Sequence, residues 1–190
     1  MPINSTKVGN FDIYSVSDGY MIFQRDIFFP ELTMKAWEQY PSYSLPEFEM
    51  NIGSFVIKGG EKTILVDTGL GKLDHHIEQP VRETLLSEVE AFELRPDDID
   101  IVFLTHLHLD HVGTNMTKEN GVWKQTFPNA TYMVAKSDWE MFNRMADKPA
   151  FQYIKEQEQP LLSKGNLDLF EGKTSLTDGV TTIPTPGHTP

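Results

Sequence analysis

The chain has 190 residues, 39% of them hydrophobic and 23% charged, close to soluble globular averages and far from the composition of disordered chains, so one domain over 1–190 is expected. Sixteen Lys and Arg against 28 Asp and Glu leave a formal charge of −12, which argues against nucleic acid as a partner. The chain contains no Cys, which excludes disulfides, thiolate metal sites and a Cys nucleophile, so any metal has to sit on imidazoles and carboxylates.

Met1-Pro-Ile-Asn-Ser-Thr6 carries no basic patch followed by an apolar run, and no stretch approaches the roughly 18 apolar residues of a spanning helix. The expectation is a soluble, cytoplasmic protein with no membrane partner. Phe11 to Val16 alternates apolar and polar residues, as a half-buried strand does. Asn51 to Ile57 and Thr63 to Asp67 read as two strands joined across Lys58-Gly59-Gly60-Glu61, a hairpin signal. Between Phe11 and this hairpin, residues 20–50 hold eight of the chain's 21 aromatics, broken up by Pro30, Pro41 and Pro46. The segment predicts a long ordered loop with one helical turn.

Apolar residues at 81, 85, 89 and 92, with Leu86 beside them, give helical spacing from Val81 to Leu94, ended by Pro96. His75 and His76 precede it as solvent-exposed bystanders. Ile101-Val-Phe-Leu104 is a short apolar run of the kind buried on both faces of a sheet, and it delivers the chain to Thr105-His106. Thr131 to Ala135 predicts a further strand, and Ser137 to Glu140 fits a capping box opening a helix to about Ala146. A second helix is expected over 150–162. Short strands follow at 167–170, 173–176 and 180–183, before Pro184-Thr-Pro-Gly-His-Thr-Pro190.

The chemistry concentrates in Thr105-His-Leu-His-Leu-Asp-His111. An extended backbone puts His106, His108 and Asp110 on one side. A turn at Asp110 brings His111 beside them, so one loop offers two imidazoles to one cation and a carboxylate plus an imidazole to a second. Such donors suit Zn²⁺, and also Mn²⁺, Fe²⁺ or Co²⁺.

This cluster after a buried strand, preceded by Leu65-Val-Asp-Thr-Gly69 and followed by Thr185-Pro-Gly-His188, resembles the metallo-β-lactamase superfamily over about 51–190. The resemblance implies an α/β fold, an αββα sandwich with a metal site at the sheet edges. It implies that His106, His108 and His188 hold a first metal, that Asp110 and His111 contribute to a second, and that Asp67 supports the ligand loop. It also implies two ligands further downstream, a bridging Asp and a final His. The sequence stops two residues after His188, so the expectation is an incomplete sandwich, a fragment of a longer protein whose binuclear site is unfinished.

For the complete protein the resemblance implies hydrolysis by metal-activated water, with Asp110 orienting the nucleophile and shuttling its proton. The spacing of 77 from His111 to His188, with the aromatic N-terminal segment, is similar to the branch of N-acyl homoserine lactonases and methyl parathion hydrolase. That implies a small apolar ester, lactone or organophosphate as substrate. Phe23, Phe28, Phe29 and Trp37 can line an apolar pocket, or can equally be core or homodimer packing. Glyoxalase II-like thioesterase, β-lactamase and nuclease are the rival activities, the acidic balance counting against the first and last. A non-catalytic metal-binding or inert fragment is the rival of a different class.

Overall fold

The structure, a computed structural model, describes residues 5–41, 45–72 and 83–190. The elements run β1 (Ser5–Val8), β2 (Phe11–Gln24), α1 (Arg25–Phe28), α2 (Met34–Trp37), β3 (Glu47–Gly59), β4 (Lys62–Val66), α3 (Leu85–Glu90), β5 (Ile101–Phe103), α4 (Leu109–Val112), β6 (Met116–Glu119) and β7 (Val122–Gln125). They continue with β8 (Thr131–Ala135), α5 (Lys136–Met145), α6 (Tyr153–Gln157), α7 (Gln159–Ser163), β9 (Leu167–Phe170), β10 (Ser175–Thr177) and β11 (Val180–Thr181).

Seven strands form one sheet in the order β1-β2-β3-β4-β5-β8-β9, and the other described strands make the two-stranded hairpins β6-β7 and β10-β11. β1 to β4 pair antiparallel, whereas β4, β5, β8 and β9 run parallel. The expected mixed α/β fold is therefore present, with a seven-stranded sheet. Among the described residues no helix is long and apolar enough to cross a membrane.

The burial pattern follows from this layout. In β3 the buried residues are Ile52, Ser54 and Val56, every second position, as a strand covered on one face requires. In the parallel part, Ile64 and Leu65 are both buried, as are Ile101 and Val102, so consecutive side chains find cover on opposite faces. The core joins Val56, Leu65, Val102 and Tyr132 of the sheet to Phe142 of α5 and Ile154 of α6. Leu104, Leu107 and Val112 reach into it fully buried. Each such burial stabilises the fold by about 1.5–3 kcal/mol, and together they anchor the intervening loop from beneath.

Several expectations are corrected. Residues 20–24 and 47–50 are not loop: β2 and β3 pair from Asp12↔Lys58 out to Gln24↔Glu47, and the described part of the connection at their far end holds α1 and α2 rather than one turn. Aromatic side chains pack across that pairing, with Phe23 4.9 Å from Phe28 and 6.0 Å from Phe48 between ring centroids. The helix expected over 81–94 occupies Leu85–Glu90 within the described residues. The helix expected over 150–162 is a 3₁₀ turn at Pro149–Phe151 followed by α6 and α7, with Pro160 in the first turn of α7. The Ser137 capping box is absent: α5 starts at Lys136 with Ala135 as its N-cap and no side-chain cap. Ser137 Oγ instead donates to the Pro190 carbonyl at 3.4 Å. The strands of 173–176 and 180–183 shorten to β10 and β11.

A buried carboxyl that the sequence did not single out holds the β4 exit. The β2–β3 register shifts between Ser17 and Tyr20, and there Asp18, 1% exposed, accepts from the backbone N–H groups of Leu70 (2.9 Å), Gly71 (2.7 Å) and Leu85 (3.0 Å). Burial raises the Asp18 pKa while these backbone bonds lower it.

Gly69-Leu70-Gly71 in turn lies against Gly113, whose N–H donates to the Gly69 carbonyl at 2.7 Å. A Cβ on Gly113 would stand 1.8 Å from the Leu70 carbonyl oxygen. Gly113→Ala is therefore expected to cost more than about 3 kcal/mol, since backbone has to move on both sides. Thermal denaturation tests this, and an unchanged melting temperature would refute the close approach.

Candidate metal centre

The site assembles where parallel strands end, the position at which open α/β sheets place their ligands. Asp67 is the first residue past β4. Its backbone lies in the left-handed region (φ 60°), uncommon for a residue with a side chain. The conformation is fixed by partners: its N–H donates to the Phe103 carbonyl at 2.9 Å. Its carboxylate accepts from Thr105 N and from Thr105 Oγ1, both at 2.8 Å, and pairs with His111 Nδ1 at 2.9 Å. The carboxylate thus ties the end of β4 to both ends of the histidine loop after β5.

In that loop His106 and His108 are half-buried and Leu107 between them is fully buried, so the two imidazoles leave the core on the same side. Extended backbone reaches only to His108, the N-cap of α4. Asp110 and His111 therefore arrive through a helical turn rather than by strand alternation, and the turn begins at Leu109, one residue earlier than expected.

His188 comes from the far end of the chain. Its Nε2 lies 2.9 Å from His108 Nδ1, and one ligand nitrogen from each of His106, His108 and His188 falls within 4.8 Å of the others. His106 Nδ1 lies 3.1 Å from Thr105 Oγ1, whose own proton goes to Asp67, so His106 Nδ1 donates and Nε2 carries the lone pair. That Nε2 is buried with no hydrogen-bond partner. Burial, then the neighbouring rings of His111, His108 and His188, lowers the His106 pKa to about 3, so the ring is neutral at neutral pH. A buried lone pair without a partner, on a ring whose centroid lies 4.8 Å from that of His108 and 5.0 Å from that of His188, fits a divalent cation with three protein ligands.

His111 differs. Burial pulls its pKa down, but its hydrogen bonds to Asp110 and Asp67 outweigh that and raise it to about 10. Asp110 Oδ2 lies 3.4 Å from His111 Nε2. Burial pushes Asp110 up, yet the hydrogen bond and charge of His111 hold it below the ordinary carboxylate range. The structure thus brings together every sequence-expected ligand residue and Asp67. The rings of Phe28, Phe29 and Trp37 pack on one another, Phe28 to Phe29 at 5.1 Å and Phe29 to Trp37 at 5.4 Å. A cavity of about 450 Å³ lined by Phe103, Thr105, Ala135, Asp138, Phe170 and Thr189 among others includes none of these aromatics. His75 and His76 lie outside the described residues.

Sequence reasoning missed the polar layer behind the loop. Thr68 N donates to the His111 carbonyl at 2.8 Å, and Thr68 Oγ1 donates to Asn115 Oδ1 at 2.8 Å. Asn115 Nδ2 donates to Glu158 Oε1 at 3.2 Å. Tyr153 OH donates to the Leu107 carbonyl at 2.9 Å. Glu158 is completely buried and its Oε2 has no hydrogen-bond partner. Nothing in a polar Gln157-Glu158-Gln159 run marks it as interior.

Residues 51–190 match the family model described as the metallo-beta-lactamase superfamily. Among curated relatives, the N-acyl homoserine lactonase of Bacillus cereus is 25% identical over 151 residues, 72% of this chain and 54% of that protein. That of a Bacillus species is 24% identical over 157 residues, 75% of this chain and 56% of that protein. The chain thus spans about half the length of these relatives. Among solved structures, a "probable metal-dependent hydrolase" from Staphylococcus aureus superposes with a TM-score of 0.80 at 20% identity, over 97% of this chain and 67% of that one. AidC, a dizinc quorum-quenching lactonase, gives 0.71 at 21% identity, over 93% and 63%.

Burial pushes the Glu158 pKa well above the ordinary carboxyl value, outweighing the hydrogen bond from Asn115. The folded state therefore binds this proton more tightly than the unfolded chain does, and stability falls as pH rises from the unfolded value of 4.5 toward the folded one. Glu158→Gln keeps the acceptor for Asn115 and removes the titration. The variant is expected to gain on the parent as pH rises from 4 to 8, measured as the difference in melting temperature. A constant difference across that range would contradict a neutral buried carboxyl.

Proposed function

The chain belongs to the metallo-beta-lactamase superfamily, and on that premise we propose that it is the metal-binding part of a hydrolase acting on a small apolar ester, lactone or organophosphate. The observation that carries the reading is that one ligand nitrogen from each of His106, His108 and His188 lies within 4.8 Å of the others, while His106 Nε2 is buried without a partner. In this reading those three hold one divalent cation, zinc by preference and Mn, Fe or Co as alternatives. Asp110 and His111, whose carboxylate and imidazole already face one another at 3.4 Å, contribute to a second.

A cation held by His106, His108 and His188 would supply Lewis acidity that lowers the pKa of water from about 15.7 toward 7. The chain's own residues do the rest. Asp110 orients the attacking water and takes its proton, then returns it to the leaving oxygen as the acyl–oxygen or phosphoryl–oxygen bond breaks. Asp67 fixes the His111 ring and, through Thr105, the His106 tautomer. A lactone is favoured among the substrates because the curated relatives are lactonases. A soluble cytoplasmic enzyme taking a small molecule completes the reading, with homodimer packing as the alternative use of the aromatic hairpin end.

Metal content by mass spectrometry and hydrolysis of a panel of lactones, aryl esters and phosphotriesters test the reading together. The chain is expected to hold divalent metal, His106→Ala and His108→Ala to lose it, and both variants to lose at least about 100-fold in hydrolysis of any accepted substrate. Asp110→Asn is expected to keep the metal on the three histidines while losing turnover by roughly 100-fold. Metal without hydrolysis would make this a non-catalytic binder, and no metal at all would overturn the site.

A further inference from the structure

Leu107 lies past the end of β5 and before the start of α4, so its carbonyl belongs to neither backbone ladder. The residue is fully buried between His106 and His108, and a buried carbonyl left without a partner is costly. Its partner is a side chain 46 residues away: the hydroxyl of Tyr153, the first residue of α6, donates to it at 2.9 Å. Tyr153 is itself buried, and its ring leads to the same place by another route. It stands 6.3 Å from Phe151, Phe151 stands 5.9 Å from Phe142, and Phe142 stands edge-on to the His108 imidazole at 5.2 Å, all between ring centroids. One turn further along α6, Gln157 Oε1 accepts from the Met116 N–H at 2.7 Å. Thus α6 grips the chain both before and after α4, the turn that carries Asp110 and His111.

We infer that Tyr153 is a positioning residue for the metal centre, aiming His108 toward His106 and His188 through the Leu107–His108 peptide. The inference rests on the proposed metal site and adds a part to it that ligand spacing does not reveal. The Leu107 carbonyl and the His108 nitrogen belong to one planar unit. A bond that fixes the carbonyl therefore also fixes the backbone rotation just before the His108 Cα, where φ is −68°. That rotation decides where the imidazole leaves the chain. The buried Leu107 side chain anchors the loop on one face but does not by itself set the tilt of this peptide, and the Tyr153 hydroxyl does. A ligand aimed beforehand gives up less conformational freedom on meeting a cation. Satisfying a buried carbonyl would alone only stabilise the fold. The ring path through Phe151 and Phe142 ties Tyr153 to the imidazole as well as to its backbone.

The test uses the 190-residue chain, with zinc affinity read by competition against a chromophoric chelator and ligand geometry read from the visible absorption of the cobalt(II) form. Tyr153→Phe removes the hydroxyl and keeps the ring. It is expected to weaken zinc binding at least about 10-fold and to change the cobalt spectrum. Ile99→Val, at a fully buried core position before β5 and away from the histidines, lowers stability without touching this path. It is expected to keep the parent's zinc affinity and cobalt spectrum. Phe151→Leu, which breaks the ring path and leaves the hydroxyl, should change the cobalt spectrum with a smaller loss of affinity.

Parent-like zinc affinity or an unchanged cobalt spectrum in Tyr153→Phe would overturn the inference. So would an equal loss of affinity in Ile99→Val, which would reduce the hydroxyl to a stabiliser of the fold. If Tyr153→Phe does not fold, Phe151→Leu decides alone: its cobalt spectrum differs from the parent's if the inference holds and matches it if the inference fails. A parent chain that takes up neither zinc nor cobalt would instead sink the metal site itself, a result distinguishable because it precedes any substitution.

Discussion

The carboxylate of Asp67 is the interaction on which the rest of the site depends. It takes two hydrogen bonds from Thr105 and one contact from His111, and so closes a seven-residue segment onto the end of the neighbouring parallel strand. Without it, Thr105 and His111 would be joined only through a short loop and one helical turn. With it, the loop has two fixed ends and a buried Leu107 between them. The imidazoles then have one direction left to point. The left-handed backbone at Asp67 is the cost of aiming a carboxylate back across β5, a strain of order 1–3 kcal/mol that the surrounding bonds over-determine.

Electrostatics at the site divide along the same line. His106 and His108 are pushed toward neutrality by burial and by their neighbouring rings, which leaves lone pairs for a cation. His111 is held as a cation between Asp67 and Asp110. The two sets of imidazoles therefore differ in protonation, His106 neutral and His111 charged at neutral pH. The chain's net charge of −12 does not bear on this local order, because nearby groups a few ångströms apart dominate over the screened field of the surface.

Much of this was legible in the residues, for identifiable reasons. The β3–β4 hairpin announced itself through Gly59-Gly60, the β5 strand through four successive apolar residues, and the ligand loop through the density of His and Asp at a strand end. The aromatic segment misled because Pro30, Pro41 and Pro46 suggested loop throughout, although only its middle turns away; Phe23 and Phe48 are strand residues facing across one pair of strands. The β6–β7 hairpin was missed despite its Asn120-Gly121 turn, where φ is 50° and 81°, the dipeptide that tight hairpins require. Asp18 and Glu158 were invisible for another reason. A polar residue in a polar stretch gives no sign that a register shift or a helix start will bury it.

The same distinction explains why α5 was read one way and built another. Ser137 and Glu140 have the spacing of a capping box, and locally that arrangement would satisfy the helix's first N–H groups. The tail offers a competing partner, the Pro190 carbonyl that accepts from Ser137. A local cap contributes about 1 kcal/mol, whereas a tail contact also limits how freely the exposed segment before it can move. Long-range order therefore wins over the local pattern at this helix start. That helix begins where the parallel strand β8 ends, so its first turn and the tail after His188 meet at one edge of the sheet.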